Sequence, residues 1–286
     1  MDTFFCFFSA WRPGPFRYSR ATDVAERLVY MTRIKLVIVP PEEFGRMASD
    51  YIANRIIDFH DRRPMNIGTA TGGTMEGIYG SLIERARRDD ALANALQTVN
   101  YFAMDEYVGL DGDHPQSYAY FMRSRLLEPA AVSTSRLQLP NKENVEPAPG
   151  AGGCISMYDQ MMTDCGGIDL QLAGIGTNGH VAFNEPGTSR DSWTRRVLLS
   201  ESTISANSRY FSDPSEVPRE AYSIGIATIM RAERVVLFAS GKNKASALER
   251  MIRGRPGDDC PASVLTLHPN CTVFMDWEAA SKLRPY

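Results

Sequence analysis

The 286-residue sequence predicts one α/β domain on a doubly wound, largely parallel sheet with helices on both faces. Three observations carry that prediction. Short apolar runs of strand length recur along the chain, segments with helical apolar spacing lie between them, and no internal repeat divides the whole. The strand candidates are Leu36–Val39, Asn66–Thr69, Val99–Met104, Asp169–Ala173, Arg196–Leu199, Val235–Ala239 and Thr272–Met275. Helical spacing is clearest over Phe44–Ile57, around Ile78, Leu82 and Ile83, over Tyr118–Leu127, and around Ala245, Leu248, Met251 and Ile252. The Pro- and Asn-containing stretch 139–153 reads as a long surface loop.

Composition narrows the partners. A hydrophobic fraction of 43% supports a sizeable core, and 31 basic residues are dispersed among 34 acidic ones, giving a net charge of −3. No basic tract exceeds pairs such as Arg87-Arg88, so nucleic acid is not an expected partner. The first apolar run, Phe4 to Phe8, is far short of the roughly 20 residues of a membrane span and lacks the flanks of a secretory signal. The five cysteines form no C-x-x-C, which argues for reduced thiols in a cytoplasmic compartment and against zinc. Residues 1–30, rich in aromatics, Arg and Pro, read as an amino-terminal extension, with Met31 favoured as the biological start over an extension packed on the surface; residues 31–286 form the domain.

Three loops carry the chemistry. In Gly174-Ile175-Gly176-Thr177-Asn178-Gly179-His180-Val181-Ala182-Phe183-Asn184-Glu185-Pro186, closely spaced glycines follow an apolar run and accompany His180 and Glu185. Glycine lets backbone approach a ligand, and histidine moves protons near neutral pH; a plain glycine-rich connection with an ordinary histidine is the alternative. In Met104-Asp105-Glu106-Tyr107, two carboxylates end an apolar run. Ionised groups are costly there unless paired or functional, although Asp105 could also serve as a turn residue or helix cap. In Thr71-Gly72-Gly73-Thr74, small residues lead into a helix and suit a phosphate monoester, while also being a common way to begin a helix. That loop has neither the lysine of a P-loop nor the spacing of a dinucleotide fingerprint.

The order and wording of these loops, with His114-Pro115-Gln116-Ser117-Tyr118 and Ala206-Asn207-Ser208-Arg209-Tyr210-Phe211, resemble the glucosamine-6-phosphate deaminase family over roughly residues 33–277. The resemblance implies a modified Rossmann-like domain with a small lid, sought here around Ser156–Gly166. It also implies conversion of glucosamine 6-phosphate and water to fructose 6-phosphate and ammonia without metal or organic cofactor. On this basis His180, held by Glu185 and assisted by Asn178, opens the sugar ring, while Asp105 moves a proton between C2 and C1. Glu106 reads as structural. Thr71, Gly72, Gly73, Thr74, Arg209 and Lys244 are the expected phosphate ligands, with Lys242 and Lys244 alternatively solvated first-turn residues.

Several positions depart from the family pattern. Thr69-Ala70 stands where Leu-Pro is common, Met75 where Pro is common, and Asn178 where some members have Asp. Arg195 falls where allosteric members carry an effector-binding Arg, but Val197 replaces their Lys, which argues against that control. Monomer and homo-oligomer both remain open. His60, His114 and His268 read as a helix-end, a turn and a pre-strand residue, and Ser189 and Ser208 lack a nucleophile elbow. Two other functions are weighed: a lactonase acting on a sugar-acid phosphate, and a non-catalytic sugar-phosphate effector module. The second acid loop favours the deaminase over the first, and the absence of a helix-turn-helix pattern in the first 30 residues disfavours the second.

Overall fold

The computed structural model describes residues 34–59, 63–147 and 155–283; the expectations placed on residues 1–30, Met31 and His60 lie outside them. Among the described residues no helix is long and apolar enough to cross a membrane. The ten strands among the described residues are β1 (Ile34–Val39), β2 (Asn66–Thr69), β3 (Asn100–Ala103), β4 (Asp105–Tyr107), β5 (Leu137–Gln138), β6 (Leu170–Gly174), β7 (Arg195–Leu198), β8 (Glu220–Ser223), β9 (Val235–Ala239) and β10 (Cys271–Asp276). The α-helices are α1 (Phe44–Phe59), α2 (Gly73–Ala86), α3 (Asp90–Leu96), α4 (Tyr118–Met122), α5 (Met157–Asp164), α6 (Glu201–Asn207), α7 (Ile226–Met230) and α8 (Ala245–Arg253).

Seven strands form one sheet in the order β1-β10-β9-β6-β2-β3-β5, every pair parallel. Central strands β9 and β10 are buried throughout, which is why Val235–Ala239 reads as a continuous apolar run rather than an alternating one. Edge strands β1 and β5 are partly exposed. From β2 the chain winds outward through β3 and β5, then returns to place β6 on the other side of β2 before continuing to β9 and β10. The winding direction therefore reverses between β2 and β6. Loops leaving the carboxyl ends of these strands part to opposite sides and leave a crevice.

A second, three-stranded antiparallel sheet, β4-β8-β7, stands beyond those carboxyl ends. It corrects two sequence expectations. The Asp105-Glu106 acids sit on strand β4 of the new sheet rather than in a loop, because the chain changes sheets at Met104, whose carbonyl accepts the Ile224 amide at 2.8 Å. The Arg196–Leu199 run is β7, a member of this sheet and not of the parallel one. Tyr107, Phe183, Leu199 and Ala221 form its small apolar core.

The expected lid is displaced as well. Residues 156–166 contain α5, which begins with a Ser156–Asp159 capping box and buries Tyr158, whose hydroxyl donates to the carbonyls of Ala103 and Gln138. Asp159, also buried, accepts hydrogen bonds from the amide and hydroxyl of Ser156, from those of Thr194, and from the hydroxyl of Thr228. That carboxylate ties α5 to the start of β7 and to α7. It is a structural pin, and the stretch covering the crevice is residues 202–211 instead. Helix Tyr118–Leu127 is found as expected, α4 continuing into a π-helical turn over Arg123–Leu127.

Asp159→Ala leaves the buried Thr194 and Thr228 donors unpaired, so unfolding in urea should show a loss of about 3 kcal/mol. A midpoint indistinguishable from wild type would contradict the role given to this pin.

Candidate active site

The crevice is a cavity of about 440 Å³, a size suited to a small polar metabolite. Its walls come from the carboxyl ends of β2, β3, β6 and β9 and from the covering stretch, and they include Asp105, Asn178, His180, Arg209 and Lys244. Four of the expected phosphate-loop residues, Thr71, Gly72, Gly73 and Thr74, line one end.

That end has features that suit an anion. Gly72 adopts φ 94°, a left-handed conformation costly for other residues, and a Cβ on Gly72 or Gly73 would meet only open space. The start of α2, with the positive end of the helix, lies at this end of the cavity. Lys244 and Arg209 complete the pocket. Lys244 donates to the Ile175 carbonyl at 2.7 Å, and burial followed by the nearby Arg209 charge lowers its pKa. Two cations drawn together, one partly buried, call for a negative partner. Lys242, the alternative, is exposed.

Asp105 forms the floor. It is 7% exposed, yet its carboxylate makes no hydrogen bond to any described residue. Burial, with the adjoining Glu106 charge, pushes its pKa up to about 8. Strand alternation sends Glu106 the other way. Its carboxylate accepts the amides of Tyr107, Tyr118 and Ala119 at 2.8, 3.0 and 2.8 Å and so anchors the start of α4, which gives it the structural role read from sequence.

The loop after β6 supplies the opposite wall. A bridge between Val181 and Asn184, with Ala182 at φ 50°, turns the chain back so that Glu185 returns to His180 despite five residues of separation. Nδ1 of His180 lies 3.6 Å from Oε2 of Glu185, just beyond hydrogen-bond reach, and is buried with no hydrogen-bond partner among the described residues. Asn178 bridges the pair, its amide donating to Glu185 Oε2 at 2.6 Å and its Oδ1 accepting the His180 amide at 3.1 Å. Burial raises the Glu185 pKa, but His180, the Thr203 hydroxyl and the Asn178 amide outweigh it and bring the carboxyl to about 2. Gly176 is required here: a Cβ on it would fall 2.3 Å from the imidazole. Arg250, on α8, donates to the Thr177 carbonyl at 3.0 Å, so two cations of the α8 region secure this loop.

Every site residue anticipated from sequence lies in or against this one cleft. Sequence reasoning missed the aromatic wall of Tyr107, Tyr118, Phe183 and Phe211, in which the Tyr107 and Phe183 ring centres are 5.6 Å apart. The alternation of Asp105 and Tyr107 along one strand was the signal for Tyr107. Also missed were Ser200 and Thr203, whose hydroxyls donate to Glu185 Oε1 from α6, for which no local pattern gives a cue. The two remaining described histidines are structural. His114 accepts the Gln116 amide, and buried His268 contacts the Ala232 carbonyl at 2.8 Å. Arg195 bonds Asn184 Oδ1 at 3.0 Å and thereby supports the Glu185 loop, while Val197 packs against the core of the small sheet.

A switch-point α/β cleft that pairs proton-transfer groups with an anion pocket defines an acid–base enzyme acting on a small phosphorylated or similarly anionic substrate. The chain belongs to the family described as glucosamine-6-phosphate isomerases/6-phosphogluconolactonase, whose profile matches residues 40–274. It is 44% identical over 251 residues to a glucosamine-6-phosphate deaminase of Rhodopirellula baltica, covering 87% of this chain and 96% of that protein. A solved monomeric glucosamine-6-phosphate deaminase superposes with a TM-score of 0.75 at 37% identity, over 87% of this chain and 99% of that one. The 6-phosphogluconolactonase of Trypanosoma cruzi, at a TM-score of 0.65 and 19% identity over 88% and 97% of the two chains, shares the fold.

Because Asp105 has its folded-state pKa raised from 3.8 to about 8, the native state retains a proton that the unfolded chain releases. Its contribution to stability is therefore fully present below pH 4 and is lost as the pH rises towards 8. Asp105→Asn should stabilise the protein relative to wild type by a margin that grows from pH 4 to 8 and levels off above, as read from thermal melts across that range. A margin independent of pH would contradict the buried, unpartnered state.

Proposed function

We propose that this protein converts glucosamine 6-phosphate and water to fructose 6-phosphate and ammonia, acting as both isomerase and deaminase. One observation carries the reading: across a single cleft a buried, unpaired carboxylate faces an imidazole backed by an ionised one, with an anion pocket at the far end. Strong relatedness to deaminases along nearly the whole chain supports it.

The phosphate binds the amides of Gly72, Gly73 and Thr74, the hydroxyls of Thr71 and Thr74, and the cations Arg209 and Lys244. With one end fixed, the reacting carbons fall between Asp105 and His180. His180 takes the proton of the C1 hydroxyl and delivers one to the ring oxygen, breaking the C1–O5 bond to give the open aldehyde. Ionised Glu185 stabilises the imidazolium formed in between, and Asn178 fixes the orientation of both. Asp105 then removes the proton from C2 while the C1 carbonyl oxygen takes a proton from the substrate's ammonium, relayed by His180, giving an enol that bears the amino group. Returning that proton to C1 creates an imine at C2. Water adds to the imine, ammonia leaves, and the ketone remains.

A carboxyl with a pKa near 8 is matched to this shuttle, since it gives and takes a proton at nearly equal cost around neutral pH. The stacked rings of Tyr118 and Phe183 exclude water beside the reacting carbons.

Incubation with glucosamine 6-phosphate should release ammonia, and kcat/KM should climb with pH until about 8 as Asp105 of the free enzyme ionises. In Asp105→Asn, kcat should fall by about 10²–10⁴-fold while competitive inhibition by inorganic phosphate persists. No ammonia from the wild type would sink the reading, and near-normal turnover in the variant would sink the role of Asp105.

A further inference from the structure

The covering segment touches more of the site than the phosphate pocket alone requires. Its Arg209 faces that pocket beside Lys244. Two residues earlier, the Asn207 side chain donates to the Tyr107 hydroxyl at 2.9 Å, on the strand that carries Asp105. One turn further back, Thr203 donates to Glu185 Oε1, and Ser200 does so at 3.0 Å. Thr203 is 4% exposed, so its hydroxyl is a built-in partner rather than a solvated one.

A carboxylate offers about four acceptor positions. Here the hydroxyls occupy Oε1, Asn178 occupies one side of Oε2, and the remaining side faces His180 Nδ1 at 3.6 Å. Glu185 is thus held from both ends and cannot swing.

We propose that Thr203 and Ser200 are positioning residues which aim Glu185 at His180, so that seating of a phosphate by Arg209 on the same segment sets the orientation of the ring-opening pair. This rests on the proposed deaminase function. Binding energy gained at the non-reacting phosphate is thereby spent at the imidazole. Both act through Glu185.

Thr203→Val keeps the shape and removes the hydroxyl, whereas Ser200→Ala would also strip the cap of α6, where the Ser200 hydroxyl accepts the Thr203 amide. In Thr203→Val, kcat should fall by about tenfold or more, as expected for loss of a hydrogen bond to a charged group, with the inhibition constant of inorganic phosphate unchanged. Thr203→Ser should restore kcat. The His180 proton resonance, identified by its absence in His180→Asn, should titrate differently in Thr203→Val and as wild type in Thr203→Ser. Unchanged kcat and titration, a serine variant as impaired as the valine one, or a change confined to phosphate affinity would each overturn the inference. The resonance needs no turnover, so it decides the matter even if the wild type releases no ammonia.

Discussion

A carboxylate buried without a protein partner is the constraint on which this molecule depends. Desolvating Asp105 costs stability that no hydrogen bond among the described residues repays, and the group avoids the full cost by holding its proton near neutral pH. The change of sheets at Met104 makes this possible. β3 delivers the chain to the crevice, β4 carries it away in the antiparallel sheet, and the residue between two backbone registers is fixed on both sides. One position along, Glu106 meets three amides and becomes a helix anchor. Adjacent acids receive opposite tasks because a strand turns successive side chains to opposite faces.

The other wall solves the complementary problem of keeping a carboxylate ionised while half hidden. Glu185 gathers donors from its own loop and from α6, and those contacts hold its pKa near the bottom of the carboxylate range. One cleft therefore holds two acids whose environments drive their proton affinities apart, with the imidazole beside the low one. Such a separation gives an enzyme both an acid and a base at a single pH. The anion pocket at the far end turns this chemistry toward substrates with a terminal negative group.

Much of this was legible in the sequence. Mostly apolar runs marked β6, β9 and β10 because parallel strands are buried on both faces, and the glycine at position 176 marked a place where backbone closely approaches a ring. What escaped was non-local. The second sheet is built from strands of three or four residues whose pairing joins Asp105 to Ser223, and so short a run carries little periodicity. The cover was sought at residues 156–166 on the family resemblance alone, yet α5 there is held down by its buried Asp159. Ser200 and Thr203 act on a carboxylate 15 and 18 residues away, and only the fold brings them together.

The arrangement is tested most directly by a crystal structure with a 2-amino-alditol 6-phosphate, an open-chain analogue with no carbonyl to react. The account places its phosphate on Gly72, Gly73, Thr74, Arg209 and Lys244, with C1 and C2 against the Asp105 carboxylate and His180 on the hydroxyl end. A phosphate bound there with Asp105 out of reach of both carbons, or a chain running the opposite way through the cleft, would contradict it.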